Sequence, residues 1–559
     1  MKQATLFLLT VSLLFSQAPP ALRPGALTDG SELLPTGWRI QPAGTQVKLG
    51  PFPLNSALSG DGKFLLTVNS GTPASVSVVR TDTLMEAARV AIPEAWQGIT
   101  FSADGKNVYV SGGARNSVFE YSFSAEGALA LTKEMPGPAA GGFIGDLAIP
   151  PAGRLVYAAD LFHDEILVFN PQSGRVIERY KSGRRPYQIL FHPDGKSYFV
   201  SSWSDASVYQ YRTNTGEEIG RLRLAPHPTA MVLSDRKLPD DETAPPVRIF
   251  VTAANTNNVF VIGVDRNDQM KQIDQLNIGF APGQPAGMTP TGLSLSKDQT
   301  RLFVACSNVN AVAVADVSEA RSRLAGFLPV GAYPASVRTL NDGRIATTNA
   351  HSDSLTVVAN DAALTAKAVE LVAYDPEEAA PPTPAFDNVI LITLESAKRG
   401  ATFARLATDY AAVQNFFPNA PGKEGLDWVL GGTPSDFAQR LRGKTFNATD
   451  LANQPPAGTL AQNARLAGLA ANRLTVVQAT SDDALGKALE NLPAKTVAFI
   501  VGDQAPLLVV SPNSRKTPAP SGMFYNDSSV LRTIELILKL RPMTVFDASA
   551  RPLTELFTQ

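Results

Sequence analysis

The stretch SGRRPYQILFHPDGKSYFVSSWSDASVYQYRTNTGEEIGRL, residues 182–222, has two short strand-like runs on either side of an Asp-Gly turn. Asp-Gly supplies the positive φ angles that a tight hairpin needs, and the run after the turn alternates between apolar and polar residues. A small polar loop and a third such run, SVYQYR, follow the second one. The stretch therefore predicts one antiparallel unit of several short strands.

The same template recurs along the chain, which makes internal repetition its strongest signal. Further copies are LSGDGKFLLTVNS from Leu58, FSADGKNVYVSGG from Phe101, IPPAGRLVYAAD from Ile149, LSKDQTRLFVACS from Leu295 and TLNDGRIATTNA from Thr339. One more copy, VRIFVTAANTNNVFVI at residues 247–262, lacks the turn but keeps its second strand. Seven units of roughly 40–50 residues are typical of propeller blades, which bury their faces against their neighbours.

The repeat also predicts how the ring is built. The segment GWRIQPAGTQVKLG, residues 37–50, precedes the first copy, and we expect it to add a strand to the last blade and close the ring. Two polar, proline-containing segments, residues 235–246 and 265–288, are interpreted as surface insertions. These features predict an all-β seven-bladed propeller over residues 36–370.

Composition limits the possible partners and the location of the protein. With 559 residues, 44% of them hydrophobic and 18% charged, the chain is expected to form two or more folded domains. The net charge of −2 gives no electrostatic case for binding nucleic acid. Residues 1–20 have the plan of a secretory signal peptide, and no later run reaches membrane-spanning length. The sequence thus predicts an exported protein, periplasmic or extracellular, with no transmembrane segment after signal removal.

The last third of the chain has a different pattern. A Pro- and acid-rich linker is predicted at residues 371–386. Strand-like runs at 388–394, 496–502 and 506–512 then alternate with helical patterns at 401–417 and 528–540. This order predicts a small α/β domain over residues 387–559 with a largely parallel sheet. Ligands of such sheets lie at the carboxyl ends of the strands, here residues 395–398, Asp503 and residues 511–515.

The blades resemble the YncE-like and YVTN/lactonase-like seven-bladed propellers, and residues 182–222 are very close to the repeat of that family. X-Pro steps precede several inner strands, near one mouth of the channel of such propellers. We predict a ligand-binding ring there from Arg184, Arg185, His227 and Tyr333, suited to an anionic or aromatic ligand. The alternative is that these are ordinary loop residues, with proline stiffening the entry to each strand.

The carboxyl-terminal third resembles phosphoesterases of the alkaline phosphatase superfamily, which some bacterial proteins join to a YncE-like propeller. The resemblance rests on ATFARLATDYAAVQNFF at residues 401–417, GDQAPLLVVSP at 502–512 and FYNDSSVLRTIELILKLRPMTVFDASARPLTELF at 524–557. In the last stretch the packing residues Val530, Leu531, Ile534, Ile537 and Leu538 keep helical spacing.

The departures from this family fall where its chemistry takes place. The resemblance implies that Glu395 is retained, that Lys398 occupies the position of the nucleophile, and that Asp503 and Asp527 replace metal-binding histidines. The resemblance also implies that the metal-binding loop of the family is missing before Gly502. A further motif of the family is reduced to residues 424–428. Residues 353–559 contain no histidine or cysteine, which leaves carboxylates suited to harder ions.

These observations favour a propeller that binds or scaffolds, joined to a phosphoesterase-like domain without activity. The partner is then a small molecule or a protein at the propeller mouth, and no cofactor is expected. One alternative is a metal-dependent phosphoesterase in which Glu395, Asp503 and Asp527 converge on one Mg²⁺ or Ca²⁺ and Ser396 is the nucleophile. A weaker alternative is lactonase-type hydrolysis in the channel, which a ring of carboxylates would support and a lining of Arg and Tyr would oppose.

Overall fold

The computed structural model describes residues 23–28, 31–34, 36–238, 244–281, 283–365, 385–419, 445–447, 460, 464, 467–470, 473–515 and 524–557. The predicted signal peptide, residues 424–428 and all but the end of the predicted linker lie outside these ranges. The chain divides into two compact units, one made mainly of residues 38–376 and the other mainly of residues 377–559.

The larger unit is built from four-stranded antiparallel sheets. Ahead of them come β1 (Gly25–Ala26), β2 (Glu32–Leu33) and β3 (Arg39–Ile40), which form a small sheet, and then β4 (Thr45–Lys48). Blade 1 contains β5 (Pro53–Leu58), β6 (Phe64–Asn69), β7 (Ser75–Arg80) and β8 (Glu86–Ala91). Blade 2 contains β9 (Ile99–Phe101), β10 (Asn107–Ser111), β11 (Ser117–Phe123) and β12 (Leu129–Pro136). Blade 3 contains β13 (Ile144–Ala148), β14 (Val156–Asp160), β15 (Glu165–Asn170) and β16 (Arg175–Lys181).

The remaining blades repeat this order. Blade 4 contains β17 (Pro186–Phe191), β18 (Ser197–Ser202), β19 (Ser207–Arg212) and β20 (Glu218–Arg223). Blade 5 contains β21 (Pro228–Ser234), β22 (Val247–Ala253), β23 (Asn258–Val264) and β24 (Met270–Asn277). Blade 6 contains β25 (Pro290–Leu295), β26 (Arg301–Cys306), a 3₁₀ turn (Ser307–Val309), β27 (Ala311–Asp316) and β28 (Arg323–Pro329). Blade 7 contains β29 (Pro334–Thr339), β30 (Ile345–Asn349) and β31 (Ser354–Val358), and it takes β4 as its fourth strand.

Strand β4 closes the ring by pairing antiparallel with β31, from Thr45 opposite Val357 to Lys48 opposite Ser354. The first strand of each blade contacts that of the next, and β29 contacts β5. The predicted seven-bladed propeller and its closure by the segment before the first repeat are therefore confirmed.

Burial follows the strand order within a blade. Every residue of β6 and β18 is buried, whereas the outer strand β8 alternates between half-buried and exposed residues. Neighbouring blades share apolar clusters, such as Tyr157 and Val168 of blade 3 against Ile189 and Val200 of blade 4. Each such fully buried side chain stabilises the fold by about 1.5–3 kcal/mol.

One predicted insertion is wrong in part. Residues 265–288 contain β24, the outer strand of blade 5, whose sequence MKQIDQLN is mostly exposed. An outer strand faces water along much of its length, so it lacks the apolar run by which the inner strands are recognised.

The smaller unit contains one six-stranded sheet in the order β33-β37-β36-β32-β35-β34. The strands are β32 (Asn388–Thr393), β33 (Ala411–Val413), β34 (Thr445–Asn447), β35 (Leu474–Gln478), β36 (Thr496–Val501) and β37 (Leu507–Val510). The helices are α1 (Ala401–Asp409), α2 (Asp482–Ala488), α3 (Asp527–Leu538) and α4 (Val545–Ala548), with 3₁₀ turns at Ser396–Lys398 and Thr554–Leu556. None of the helices among the described residues has the length and hydropathy needed to cross a membrane.

This sheet is mixed and not largely parallel. Strand β32 runs parallel to β35 and β36, but β37 runs antiparallel to β36, because residues 502–506 are too short a link for a parallel crossover. Residues 511–515, which follow β37, therefore lie at the other end of the strands from Glu395 and Asp503. The prediction that residues 395–398, Asp503 and residues 511–515 share one end of the sheet is wrong.

Helix α3 packs as its spacing predicts. Its five predicted packing residues are all buried, and they join a core formed with β32, β36 and β37. Asn526 caps the helix by accepting a hydrogen bond from the Ser529 N–H at 3.0 Å, and the Ser529 hydroxyl accepts from the Asn526 N–H at 3.2 Å.

Ring closure can be tested at Val47, which is buried on β4 against Leu355 and Val357. We expect Val47→Asp to lower the free energy of unfolding by about 3 kcal/mol, because it buries an unpaired charge in the closing strand. Urea unfolding followed by tryptophan fluorescence measures this, since Trp38, Trp96 and Trp203 belong to the larger unit. The control Lys48→Ser, on the exposed side of the same strand, should change stability by less than about 0.5 kcal/mol. Equal effects of the two changes would contradict the closing role of β4.

Candidate functional site

In five blades the residue before the first strand has a left-handed backbone and is followed by proline. These residues are Phe52 (φ 55°), Arg185 (φ 55°), His227 (φ 59°), Thr289 (φ 51°) and Tyr333 (φ 59°). Their carbonyl groups accept hydrogen bonds of 2.8–3.0 Å from the first N–H after the second strand of the same blade. Proline and this hydrogen bond together fix an uncommon backbone conformation at the same place in each of these blades.

Rings and cations stack around these positions, and we call the set the mouth collar. It consists of Phe52, Trp96, Phe143, Phe162, Arg185, Trp203, His227, Tyr333 and His351. The Arg185 guanidinium lies 4.6 Å from the ring centroid of Phe162, and the His227 imidazole stacks on Trp203 at 4.1 Å. The Tyr333 ring stacks on His351 at 4.3 Å. Residues from two different blades thus form most of these contacts.

Three of the predicted ring residues, Arg185, His227 and Tyr333, occupy equivalent places directly before the first strands of their blades. Arg184 is exposed, and its N–H donates to Asp205 at 2.7 Å, while the Arg185 N–H donates to Asp164 at 2.8 Å. The contacts of Arg185, His227 and Tyr333 are made with Phe162, Trp203 and His351, which the sequence argument missed. Their position one or two residues after the second strand of the repeat was the signal that could have identified them. The ligand-binding role of all these residues stays a prediction.

A polar belt lies on the seven first strands, where Asp146 is the only acid and Arg338 the only base. Arg338 of blade 7 donates to the Ser56 carbonyl at 2.9 Å and to the Asn55 side chain at 3.0 Å, both in blade 1. In blade 3 the Asp146 carboxylate accepts from the Ile189 N–H of blade 4 at 2.9 Å. Charged side chains therefore join neighbouring blades at the centre of the ring.

Burial raises the pKa of two groups on the first strands, Asp146 and Tyr187. It raises the pKa of Asp146 to about 7, although the N–H groups of Ile189 and Leu147 and the charge of Arg338 act in the other direction. Burial also raises the pKa of Tyr187, which Tyr333 and Asp146 raise further. A carboxyl that titrates near neutral pH is suited to acid–base chemistry, and Asp146 is the one such acid on the described first strands.

At the strand ends of the smaller unit, the candidate residues are paired with one another. The Ser396 N–H and hydroxyl donate to Asp503 at 2.6 and 3.2 Å, and the Lys398 ammonium lies 3.5 Å from Glu395. The amino terminus of α1, where an oxyanion would be stabilised, is filled by Asp482. Its carboxylate accepts from the N–H groups of Gly400, Thr402 and Phe403 at 2.7–3.0 Å, and these bonds lower its pKa.

Asp527 is separate from this group and fully buried at the start of α3. One carboxylate oxygen accepts from the Asn419 N–H at 2.8 Å, and the other has no hydrogen-bond partner among the described residues. Burial raises its pKa to about 8. Within the part of the chain that the structure describes, no three His, Cys, Asp or Glu side chains are grouped so that they would hold a metal ion. Glu395, Asp503 and Asp527 do not form such a group, and their metal-binding role stays a prediction.

Comparison with known proteins adds to the description of the propeller. A family model described as "Lactonase, 7-bladed beta-propeller" matches residues 56–231, which run from blade 1 into blade 5. No curated protein matches the chain. Hydrazine synthase of Kuenenia stuttgartiensis is 18% identical over 58% of this chain and 99% of its own, with a TM-score of 0.46. A protein from Lactobacillus plantarum is 18% identical over 51% and 86%, with a TM-score of 0.43. The larger unit is therefore a seven-bladed propeller similar to those of the lactonase family.

The buried carboxyl of Asp527 predicts a pH-dependent stability. Since its pKa is higher in the folded than in the unfolded protein, it stabilises the fold fully below about pH 4 and loses this contribution as the pH rises through about 8. Asp527→Asn removes the titration, so the variant should match the wild type near pH 4 and exceed it at pH 8 by on the order of 5 kcal/mol. Calorimetry of the full chain at pH 4, 6 and 8 measures this difference. The control Glu490→Gln, at an exposed acid, should give a curve parallel to the wild type. A parallel curve for Asp527→Asn would contradict the prediction.

Proposed function

We propose that the protein is a binding protein whose mouth collar takes a small ligand with a flat ring and an anionic group. The observation that carries this proposal is the pairing of exposed aromatic rings with cationic or imidazole side chains. Phe162 is 55% exposed and has one face against the Arg185 guanidinium. Trp203 is 38% exposed and has one face against the His227 imidazole. A large exposed aromatic ring held in place by a neighbour is typical of a stacking platform for a ligand.

The charge of the ligand is inferred from the two arginines. Asp164 and Asp205 accept from the backbone N–H groups of Arg185 and Arg184, so these acids stabilise the loops. Among the described residues, neither guanidinium forms an ion pair with a carboxylate. A planar guanidinium offers paired donors that match a carboxylate or a phosphate group. An anionic ligand is therefore favoured over a neutral or cationic one.

For the smaller unit, we propose a phosphoesterase-like domain without catalytic activity. The groups that would act on a phosphate ester are occupied by internal partners: Ser396 binds Asp503, Lys398 pairs with Glu395, and Asp482 fills the amino terminus of α1. The Ser396 hydroxyl donates to Asp503 at 3.2 Å, so the serine oxygen already has an internal partner. This arrangement supports a structural or binding role.

A second candidate function is lactone hydrolysis in the channel. It is favoured by the lactonase-family match and by Asp146, a buried carboxyl with a pKa of about 7 opposite a guanidinium. In this mechanism Asp146 takes a proton from water that attacks the lactone carbonyl, and Arg338 stabilises the developing oxyanion. The described first strands carry a single carboxylate together with Arg338 and Tyr187, which makes this candidate weaker than ligand binding.

Calorimetric titration with phenyl phosphate tests the mouth collar. We expect saturable binding to the full chain, and both Arg185→Ala and Trp203→Ala should weaken it about tenfold or more, because each removes one half of a stacked pair. Arg212→Ala is the matched control, since Arg212 is an exposed arginine of the same blade that pairs with Glu217 away from the collar. Inorganic phosphate should bind more weakly than phenyl phosphate. Absence of binding, or equal binding by all variants, would contradict the proposal.

Assays with hydrolase substrates test the proposal that the smaller unit is inactive and the candidate function of lactone hydrolysis. With an aryl phosphate and added Zn²⁺, Mn²⁺, Mg²⁺ or Ca²⁺, we expect no turnover above background. Metal-dependent turnover that disappears in Glu395→Ala and Asp503→Ala would overturn the inactive-domain proposal. Hydrolysis of a γ- or δ-lactone that falls about 100-fold or more in Asp146→Asn would establish the second candidate instead. Asp104→Asn, at an exposed turn acid of blade 2, is the control for this substitution.

A further inference from the structure

A cleft of about 910 Å³ lies between blades 2 and 3. It is bounded by the Asp-Gly turn of blade 2, the corresponding turn of blade 3, and the loop that joins β15 to β16. Its inner wall includes Tyr109, Glu120 and Lys133 of blade 2. The volume is within the range of small-molecule sites, and none of its lining residues belongs to the mouth collar.

The seven repeats show that this inner wall is unusual. Glu120 lies on the third strand of its blade, opposite Tyr109 on the second. The equivalent residues of the other blades, paired with the same place on the second strand, are Val78, Val168, Gln210, Val261, Val314 and Val357. Five of these six are buried valines, so an acid here departs from the apolar packing that joins the other blades. Burying a carboxylate in place of valine is costly, and it calls for a functional or structural reason.

The buried acid belongs to a small network. Glu120 is 8% exposed, it accepts from the Tyr109 hydroxyl at 3.1 Å, and it lies 3.7 Å from the Lys133 ammonium. Lys133 also donates to the carbonyl groups of Pro171 and Gln172 in blade 3. The network therefore spans the cleft from one blade to the next and holds its polar groups in fixed positions.

The lining identifies the kind of ligand. It contains two acids, Asp104 and Glu120, and two bases, Lys133 and Arg154, so its net charge is zero and it favours neither an anion nor a cation. Amide side chains stand beside apolar residues such as Ile149 and Leu155. Hydroxyl groups both donate and accept, and sugar rings also present C–H faces to apolar surfaces. We propose that the cleft between blades 2 and 3 is a binding site for a neutral polyhydroxylated ligand of monosaccharide or disaccharide size.

Saturation-transfer NMR titrations of the full chain with glucose, maltose and cellobiose test this site. At least one of these sugars should bind saturably, and glucosamine should bind no better than glucose. Glu120→Gln should weaken binding about tenfold, because it removes a charged acceptor from the inner wall. Gln210→Val, the equivalent position in blade 4, is the matched control and should leave sugar binding unchanged. Arg185→Ala should also leave it unchanged, since the mouth collar is a separate site.

A triple variant separates a binding role from a purely structural one. Tyr109→Phe and Glu120→Val give the Phe–Val pair that blades 5 and 6 have at this place, and Lys133→Met removes the charge that faces Glu120. Replacing a buried ion pair with apolar residues is often neutral or stabilising, so Tm should be unchanged or higher while sugar binding is lost. Retained binding in the triple variant, or no saturable binding of any of the three sugars to the wild type, would each overturn the proposal.

Discussion

The pairing of β4 with β31 determines whether the blades form a ring. An open array of seven blades would leave strand edges unpaired at both ends, and closure removes them. It also joins residues that are far apart in sequence: the Thr356 hydroxyl donates to Gln46 at 2.8 Å, and the Phe52 N–H donates to Asp353 at 3.0 Å. The second bond places Phe52 beside His351, so this part of the mouth collar exists only because the chain termini of the propeller meet. The same closure brings Arg338 against Asn55 in the polar belt.

The propeller could be predicted because its determinants are local. Asp-Gly turns recur in four of the seven repeats and alternating strands in all of them, and each repeat is one blade. Outer strand β24 escaped prediction since a strand exposed to water has no apolar signature. The antiparallel course of β37 was readable, because residues 502–506 leave no room for a crossover, but the helix that follows later suggested a parallel sheet. The contacts of the collar were not readable, since Phe162 and Arg185 belong to different blades and meet only through the packing of the ring.

Repetition makes the exceptions informative. At a place where five of the other six blades have valine, Glu120 has the Tyr109 hydroxyl and the Lys133 ammonium as partners. On first strands otherwise without acids, Asp146 accepts from the neighbouring blade. Each replaces apolar or neutral packing by a network that must be complete to be tolerated. The described part of the smaller unit contains one sheet, so its residues cannot be compared with equivalent residues of other repeats. There, the evidence is the mutual pairing of Ser396 with Asp503 and of Lys398 with Glu395, which leaves these groups satisfied without a substrate.

At the left-handed residues before the first strands, the backbone conformation does not depend on which side chain is present. The following proline and one carbonyl hydrogen bond maintain the conformation, and five different residue types, Phe, Arg, His, Thr and Tyr, occupy it. Evolution can therefore exchange the chemical group at each of these places while the strand behind it stays in register. The rim of the propeller in this sense presents different side chains on a constant backbone framework.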